Sequence, residues 1–318
     1  MIDKNEILKK LNFDVKNSNR VVTNSDYFNL SKLQLIFYNL LNINIFYSFV
    51  KLLISIVRKF ENLIKIKNIK LQSLDPNISP KEKKFNSLKS NNELNQKYGY
   101  DEFTEIKRFY ANAKLVKSKN NSGLFLDRVN YSINETEKII NLDKSIKKLV
   151  SVGCSYAHYE HVISKKFKKI KVECFDRSEV TAILNKKEFP LSNINVSFGD
   201  IIDFISKQDS DYSIFNHMWT LAYLPKDFVE QIYSELNKIN TKYIILVESI
   251  GISRETGKMY KFGFKDLPSV RWKNNIFIHN YPGILNKYGY SIENFDLAEI
   301  PQNKNEYLLK IVAKKIMK

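Results

Sequence analysis

Gly153 closes an apolar run, LVSV, and Asp176 stands 23 positions further on, at the end of a second apolar run, KVECF. A glycine lets backbone approach a ligand closely, and an acid about twenty residues later can grip ribose hydroxyls, so the pair has the spacing of a nucleotide site. Asp200 ends a third run, VSFGD, while Asn216 and His217 fall near the end of a fourth, SDYSIFNHMW. Glu248 lies in KYIILVES and His279 in IFIHNYPGIL. Histidine changes charge near neutral pH and carboxylates are the other common proton acceptors, which makes His217, His279 and Glu248 the candidate bases. His217 leads because it follows the fourth run, and the alternative for it is a ring hydrogen-bonded to hold that turn. His158 and His161 lie just after the glycine turn and read as structural or solvent-facing.

The elements that must position these residues follow from the apolar runs. Lys147 to Ser178 reads as a buried strand (Leu149 to Val152), a turn at Gly153, a helix, and a second strand (Ile170 to Phe175) that delivers Asp176. A third strand ends at Asp200, a fourth covers Ser210 to Trp219 and a fifth Lys242 to Ser249. The chain closes with two alternating runs, YSIENFDLAEI and NEYLLKIVAKK, joined by IPQNKN, which read as an antiparallel hairpin and not as another parallel unit. The expected fold is α/β: a Rossmann-like, seven-stranded, mostly parallel sheet with a C-terminal antiparallel hairpin, preceded by a helical N-terminal region.

That succession resembles the class I S-adenosylmethionine-dependent methyltransferases over roughly Asp143 to Lys315. The resemblance implies S-adenosyl-L-methionine as cofactor and assigns roles by position. VSVGCSYAHYE matches the loop around the methionine part of the cofactor, bringing in Gly153, Cys154, Ser155 and Ala157. Asp176, with Arg177 beside it, matches the ribose-binding acid. Asp200 with Ile201 matches the adenine-side contact, and Asn216 and His217 lie where the fourth strand meets the transferred methyl group. LNKYGYSI matches the helix and turn before the sixth strand.

This chain departs from the family pattern in its first motif. Ser151 stands where the first strand usually carries an acid, so the contact to the cofactor's amino group must be remade or lost. Ser155 and Ala157 replace two glycines, and a positive φ at either costs roughly 1 kcal/mol. The run Asn216-His217-Met218-Trp219 lacks the prolines of adenine or glutamine N-methylating relatives and the Pro-Cys of cytosine-C5 enzymes. No acid pair with an Asn suggests a divalent-metal site, so none is expected. The resulting expectation is O-methylation of a sugar or small-metabolite hydroxyl. An N-methyltransferase and a non-catalytic cofactor-binding or membrane-surface scaffold are the alternatives. A nicotinamide-dependent dehydrogenase fits less well, because of the terminal hairpin and Asp200.

The formal charge of +17 accompanies abundant Lys, Asn, Ile, Phe and Tyr, as an AT-rich genome would produce. With no Arg-rich stripe or RNA-binding motif, the expected partner is a small-molecule or saccharide acceptor and not nucleic acid. Residues 1–100 hold 17 Lys or Arg against 8 acids. Within them, Leu33 to Val50 is free of charge, but Gln34, Asn39, Asn42, Asn44 and Ser48 suit lipid poorly. The readings are a spanning helix, an interfacial helix at the membrane, and, favoured, helices packed on the catalytic domain or on a second subunit of a homo-oligomer. Residues 65–97 read as a linker. The expected division is 1–97, helical region and linker; 98–142, helical lid or pre-domain segment; 143–318, the cofactor-binding domain. Cys154 and Cys174 read as reduced core residues. With a charged N-terminus, they suggest a cytoplasmic protein, peripheral to the membrane's inner face at most.

Overall fold

The computed structural model describes residues 3–16, 102–117, 124–208, 213–251, 259–273, 276–299 and 307–316. The uncharged run at 33–50 and the segment 65–97 lie outside the described residues.

Short apolar runs flanked by polar turns become strands, and the central ones, Lys148–Val152 and Tyr243–Ile250, are buried on both faces. β1 (Lys148–Val152), β2 (Lys171–Phe175), β3 (Ile194–Ser197), β4 (Ser213–Met218) and β5 (Tyr243–Ile250) pair in parallel in the order β3-β2-β1-β4-β5. Every residue of β5 is buried. Numbering the next two strands as β6 (Val270–Lys273) and β7 (Ile276–Ile278), the sheet is completed by β8 (Tyr290–Glu299) and β9 (Tyr307–Lys315). β9 inserts antiparallel between β5 and β8, giving the seven-stranded order β3-β2-β1-β4-β5-β9-β8. The expected hairpin is therefore present, with its second strand on the inside.

Alternation along the strands divides the core between two faces. Val150, Val152, Phe215, Ile244 and Leu246 form one face, with Val229, Ile232, Tyr233 and Leu236 of a helix at Lys226–Lys238. Those residues fall at i, i+3, i+4 and i+7, which gives one apolar stripe directed at the sheet. Leu149, Val172, Cys174, Ile214 and Ile245 form the other face, covered by helices at Leu124–Leu142 and His158–Lys166.

In chain order the helices are α1 (Lys4–Lys16), α2 (Glu102–Lys117), α3 (Leu124–Leu142), α4 (His158–Lys166), α5 (Glu179–Glu188), α6 (Ile201–Ser206), α7 (Lys226–Lys238) and α8 (Tyr281–Lys287). α1 supplies Ile7 and Leu11, both almost fully buried, to the first core face. Lys4 ties it down, donating to Asn286 Oδ1 (2.5 Å) and lying 5.1 Å from the Phe264 ring centre. The sequence reading did not anticipate that docking. Nor did it anticipate the insert between β5 and α8, in which β6 and β7 form a small antiparallel pair. The insert is pinned by Asn280, which accepts from Gly263 N–H (3.1 Å) and donates to Lys265 O (2.8 Å). No helix among the described residues is long and apolar enough to cross a membrane.

Candidate active site

In the order β3-β2-β1-β4-β5 the chain reverses direction of travel between β1 and β4, and a crevice outside the strand ends at such a reversal is where doubly wound sheets bind ligands. Gly153 opens the turn there with φ +72°, a left-handed conformation that costs glycine nothing. Closeness matters as much: a Cβ at Gly153 would lie 2.0 Å from Thr220 Oγ1. Ser155 does adopt a left-handed φ of +44° and carries the strain expected of a non-glycine residue.

Asp176 joins this turn to the end of β2. Its Oδ2 accepts from Ser155 N–H (2.9 Å) and its Oδ1 from Ser178 N–H (3.0 Å). Burial pushes its pKa up, opposed by those two backbone bonds and by the nearby charges of Arg177 and Arg108. Each carboxylate oxygen accepts one bond from the chain and keeps a lone pair for another donor.

The turn's own N–H groups point inward. Gly153 and Cys154 both donate to Phe175 O (2.7 and 3.2 Å), Ser155 to Asp176, and Ala157 to Asn185 Oδ1 (3.0 Å). Cys154 and Ala157 are buried. The Cys154 and Cys174 thiols are free and hydrogen-bonded to each other; that bond and burial push Cys154 well up, and burial raises Cys174. α2 packs over the turn, with Phe109 edge-on to Tyr156 (5.1 Å) and Asn112 Nδ2 donating to Ser155 Oγ (3.1 Å). At the neighbouring strand end, Asp200 is an exposed helix cap that accepts from Ile202 and Asp203 N–H (2.8 and 3.0 Å), and Ile201 is buried.

The three candidate bases fare differently. His217 is wholly buried, with Nδ1 2.7 Å from Glu248 Oε1 and Nε2 3.1 Å from Tyr233 OH. The carboxylate fixes the tautomer: Nδ1–H donates to Glu248, and Nε2 accepts from the tyrosine. Both ring nitrogens of His217 are thus engaged within the protein, as in the alternative of a ring hydrogen-bonded to hold that turn. His279 is likewise enclosed. Its Nε2 donates to Leu221 O (3.1 Å), its Nδ1 accepts from Ser269 Oγ (2.7 Å), and burial pushes its pKa down to about 4. It ties the insert to the segment that follows β4. Glu248 is as buried as His217, and its Oε2 has no hydrogen-bond partner among the described residues.

Two residues near this place were not resolved by sequence reasoning. Of Asp127 and Arg128, the exposed Asp127 faces away, whereas Arg128 is buried and lays its guanidinium over the Trp219 ring at 4.5 Å. Burial pushes Arg128 down to about 10, and the charge of Glu248 pulls the other way. Trp219 has a left-handed φ of +53° and donates its N–H to Val247 O (2.9 Å). The second is Glu160 in the first turn of α4, whose Oε1 accepts from Ser151 Oγ (2.5 Å). The serine at the acid position of β1 was the available signal: a missing carboxylate invites a search for one on the facing helix.

The sheet order and its reversed inner strand are those of the class I S-adenosylmethionine-dependent methyltransferase architecture. No family model and no curated protein matches the chain. Solved structures similar to it include a TehB-like SAM-dependent methyltransferase from Corynebacterium glutamicum, at 14% identity, covering 68% of this chain and 100% of that one, with a TM-score of 0.45. Magnesium protoporphyrin IX methyltransferase from Synechocystis with bound SAM matches at 12% identity over 70% of this chain and 95% of its own, TM-score 0.43. The cyclase SpnF matches at 13% identity over 58% and 81%, TM-score 0.43.

Proposed function

We propose that the chain is an S-adenosylmethionine-dependent methyltransferase acting on a hydroxyl of a small molecule or sugar. The observation that carries this reading is the polarity of the crevice. A dinucleotide's pyrophosphate needs free backbone N–H donors at the glycine turn. Here the N–H groups of Gly153, Cys154, Ser155 and Ala157 are all taken by the protein, while Glu160 Oε2, Asn216 Oδ1 and Glu248 Oε2 have no partner among the described residues, with the Trp219 indole N–H as the open donor beside them. Such a site suits a ligand that presents ribose hydroxyls and positive charge. Asp176 would hold the ribose with Arg177 beside it, Asp200 and Ile201 would border the adenine, and Asn216 would flank the methionine part. The bound cofactor supplies an electrophilic methyl group on a sulfonium, so the chain's work is alignment, exclusion of water and removal of the acceptor's proton.

Glu248 is the residue for that last task. Its open Oε2 would accept the proton, while His217, backed by Tyr233, holds the other oxygen. Glu248→Gln should lower methyl transfer about 10²–10⁴-fold, with S-adenosylhomocysteine affinity within a few-fold of wild type. Transfer of labelled methyl groups to a small-molecule extract measures the first, and calorimetry the second. Unchanged turnover would remove Glu248 from the mechanism. One observation favours the non-catalytic alternative: Thr220 packs directly onto Gly153 and donates to Val152 O and Met218 O (both 3.2 Å), narrowing the turn on its β4 side. Under that reading the cofactor binds but no acceptor is methylated.

A further inference from the structure

Beneath the glycine turn, on the α3–α4 face of the sheet, lies a buried polar group that the assignment of Asp176 and Glu248 leaves unused. Ser151 of β1 sits in register with Asn216 of β4. Its Oγ donates to Glu160 Oε1 (2.5 Å) and receives a long contact from Asn216 Nδ2 (3.5 Å). All three side chains are at most 1% exposed. Two acceptor atoms in this group, Glu160 Oε2 and Asn216 Oδ1, have no partner among the described residues. Buried acceptors without a donor are costly, and two of them flanking one serine mark a place built to receive N–H or O–H groups.

We propose that Glu160, with Ser151 and Asn216, forms the anchor for the ammonium group of the cofactor, an acid delivered from α4 in place of one on β1. This rests on the cofactor reading above. An ammonium offers three donors and a positive charge, matching two open oxygens of which one belongs to a carboxyl group. Neutral donors such as water satisfy the oxygens without using the charge. The carboxyl also gives the anchor a pH dependence. Burial raises the pKa of Glu160 to about 7, the bond from Ser151 lowers it, and the charge of Asp176 adds to the rise. The other groups facing it, the Cys154 and Cys174 thiols and the Tyr159 hydroxyl, all have raised pKa values and stay neutral near pH 7. A ligand ammonium favours the ionised carboxylate, so binding should release a proton and strengthen as pH rises from 6 to 8.

Calorimetry of the full chain tests this with two probes, S-adenosylhomocysteine and its deaminated analogue, which has hydrogen in place of the amino group. Wild type should prefer the amine at least tenfold at pH 8, less at pH 6, and should release a proton, seen as a difference in binding heat between phosphate and Tris buffers. Glu160→Gln should lose roughly ten- to hundredfold in affinity for the amine, keep its affinity for the deaminated analogue, and show a flat pH profile. That difference cancels the contribution of Asp176, which both proteins share. Equal affinity of wild type for the two probes, without proton release, overturns the proposal and needs no variant to fold. Binding of neither probe by wild type would instead overturn the cofactor reading, and this anchor with it.

Discussion

Gly153 was legible in the sequence as a glycine between two strands, but its second constraint, the contact with Thr220, arises from residues 67 positions apart and appears only in the fold. Gly153→Ala should therefore cost more than the roughly 1 kcal/mol of a positive φ, and Thr220→Ala should recover part of the loss; thermal melts of the single and double variants measure both. Asp176 was singled out by its spacing from Gly153 and by the family resemblance, and the bonds it accepts from the Ser155 and Ser178 N–H groups have no side-chain signature in the sequence. The burial of His217 and His279 was not legible, for a physical reason. A histidine at a strand end is equally suited to solvent or to a buried network, and only packing decides. For His279 the consequence is measurable. Its folded pKa of about 4 lies below the ordinary 6.5, so the folded state resists protonation. The stability it contributes is present above pH 6.5 and falls at up to about 1.4 kcal/mol per pH unit between 6.5 and 4. Denaturant unfolding of wild type should show that loss, and His279→Gln should flatten it.

Among the elements, strands buried on both faces were the easiest to read, since KLVSV, KVECF and YIILVESI leave no room for a solvent-facing stripe. The insert before α8 escaped notice because β6 and β7 have only four and three residues, too short to show a period, although they bury Trp272 and Ile278 in the core. α1 escaped because few of its residues are apolar and its partners lie far away in the chain. Its docking is testable: Leu11 is fully buried, and Leu11→Ala should destabilise the protein by about 2–5 kcal/mol. Substitution at the exposed Glu6 should change stability by under about 0.5 kcal/mol. Equal effects at the two positions would mean that α1 does not pack as described. α2 and α3 were expected as helices near the site, and their contacts give that expectation content: Asn112 reaches Ser155, and Arg128 covers Trp219.

At the scale of the whole molecule, the account depends on one arrangement: a sheet that reverses between β1 and β4, a turn in which the N–H groups of Gly153, Cys154, Ser155 and Ala157 bond within the protein, and the unpartnered carboxylate oxygens of Glu160 and Glu248. The net charge of +17 does not describe the neighbourhood of the turn, where Asp176, Glu160 and Glu248 are all buried acids. The sheet order was readable from sequence, while the polarity of the turn was not, since a backbone N–H has no sequence signature. The most direct test is a calorimetric titration of the full chain with S-adenosylhomocysteine and, separately, with NAD. The account predicts saturable binding of the first and none of the second, with Asp176→Asn weakening the first by roughly 1.5–3 kcal/mol through loss of charge-assisted hydrogen bonds to the ribose. Tight binding of NAD, or equal affinity of wild type and Asp176→Asn for S-adenosylhomocysteine, would contradict it.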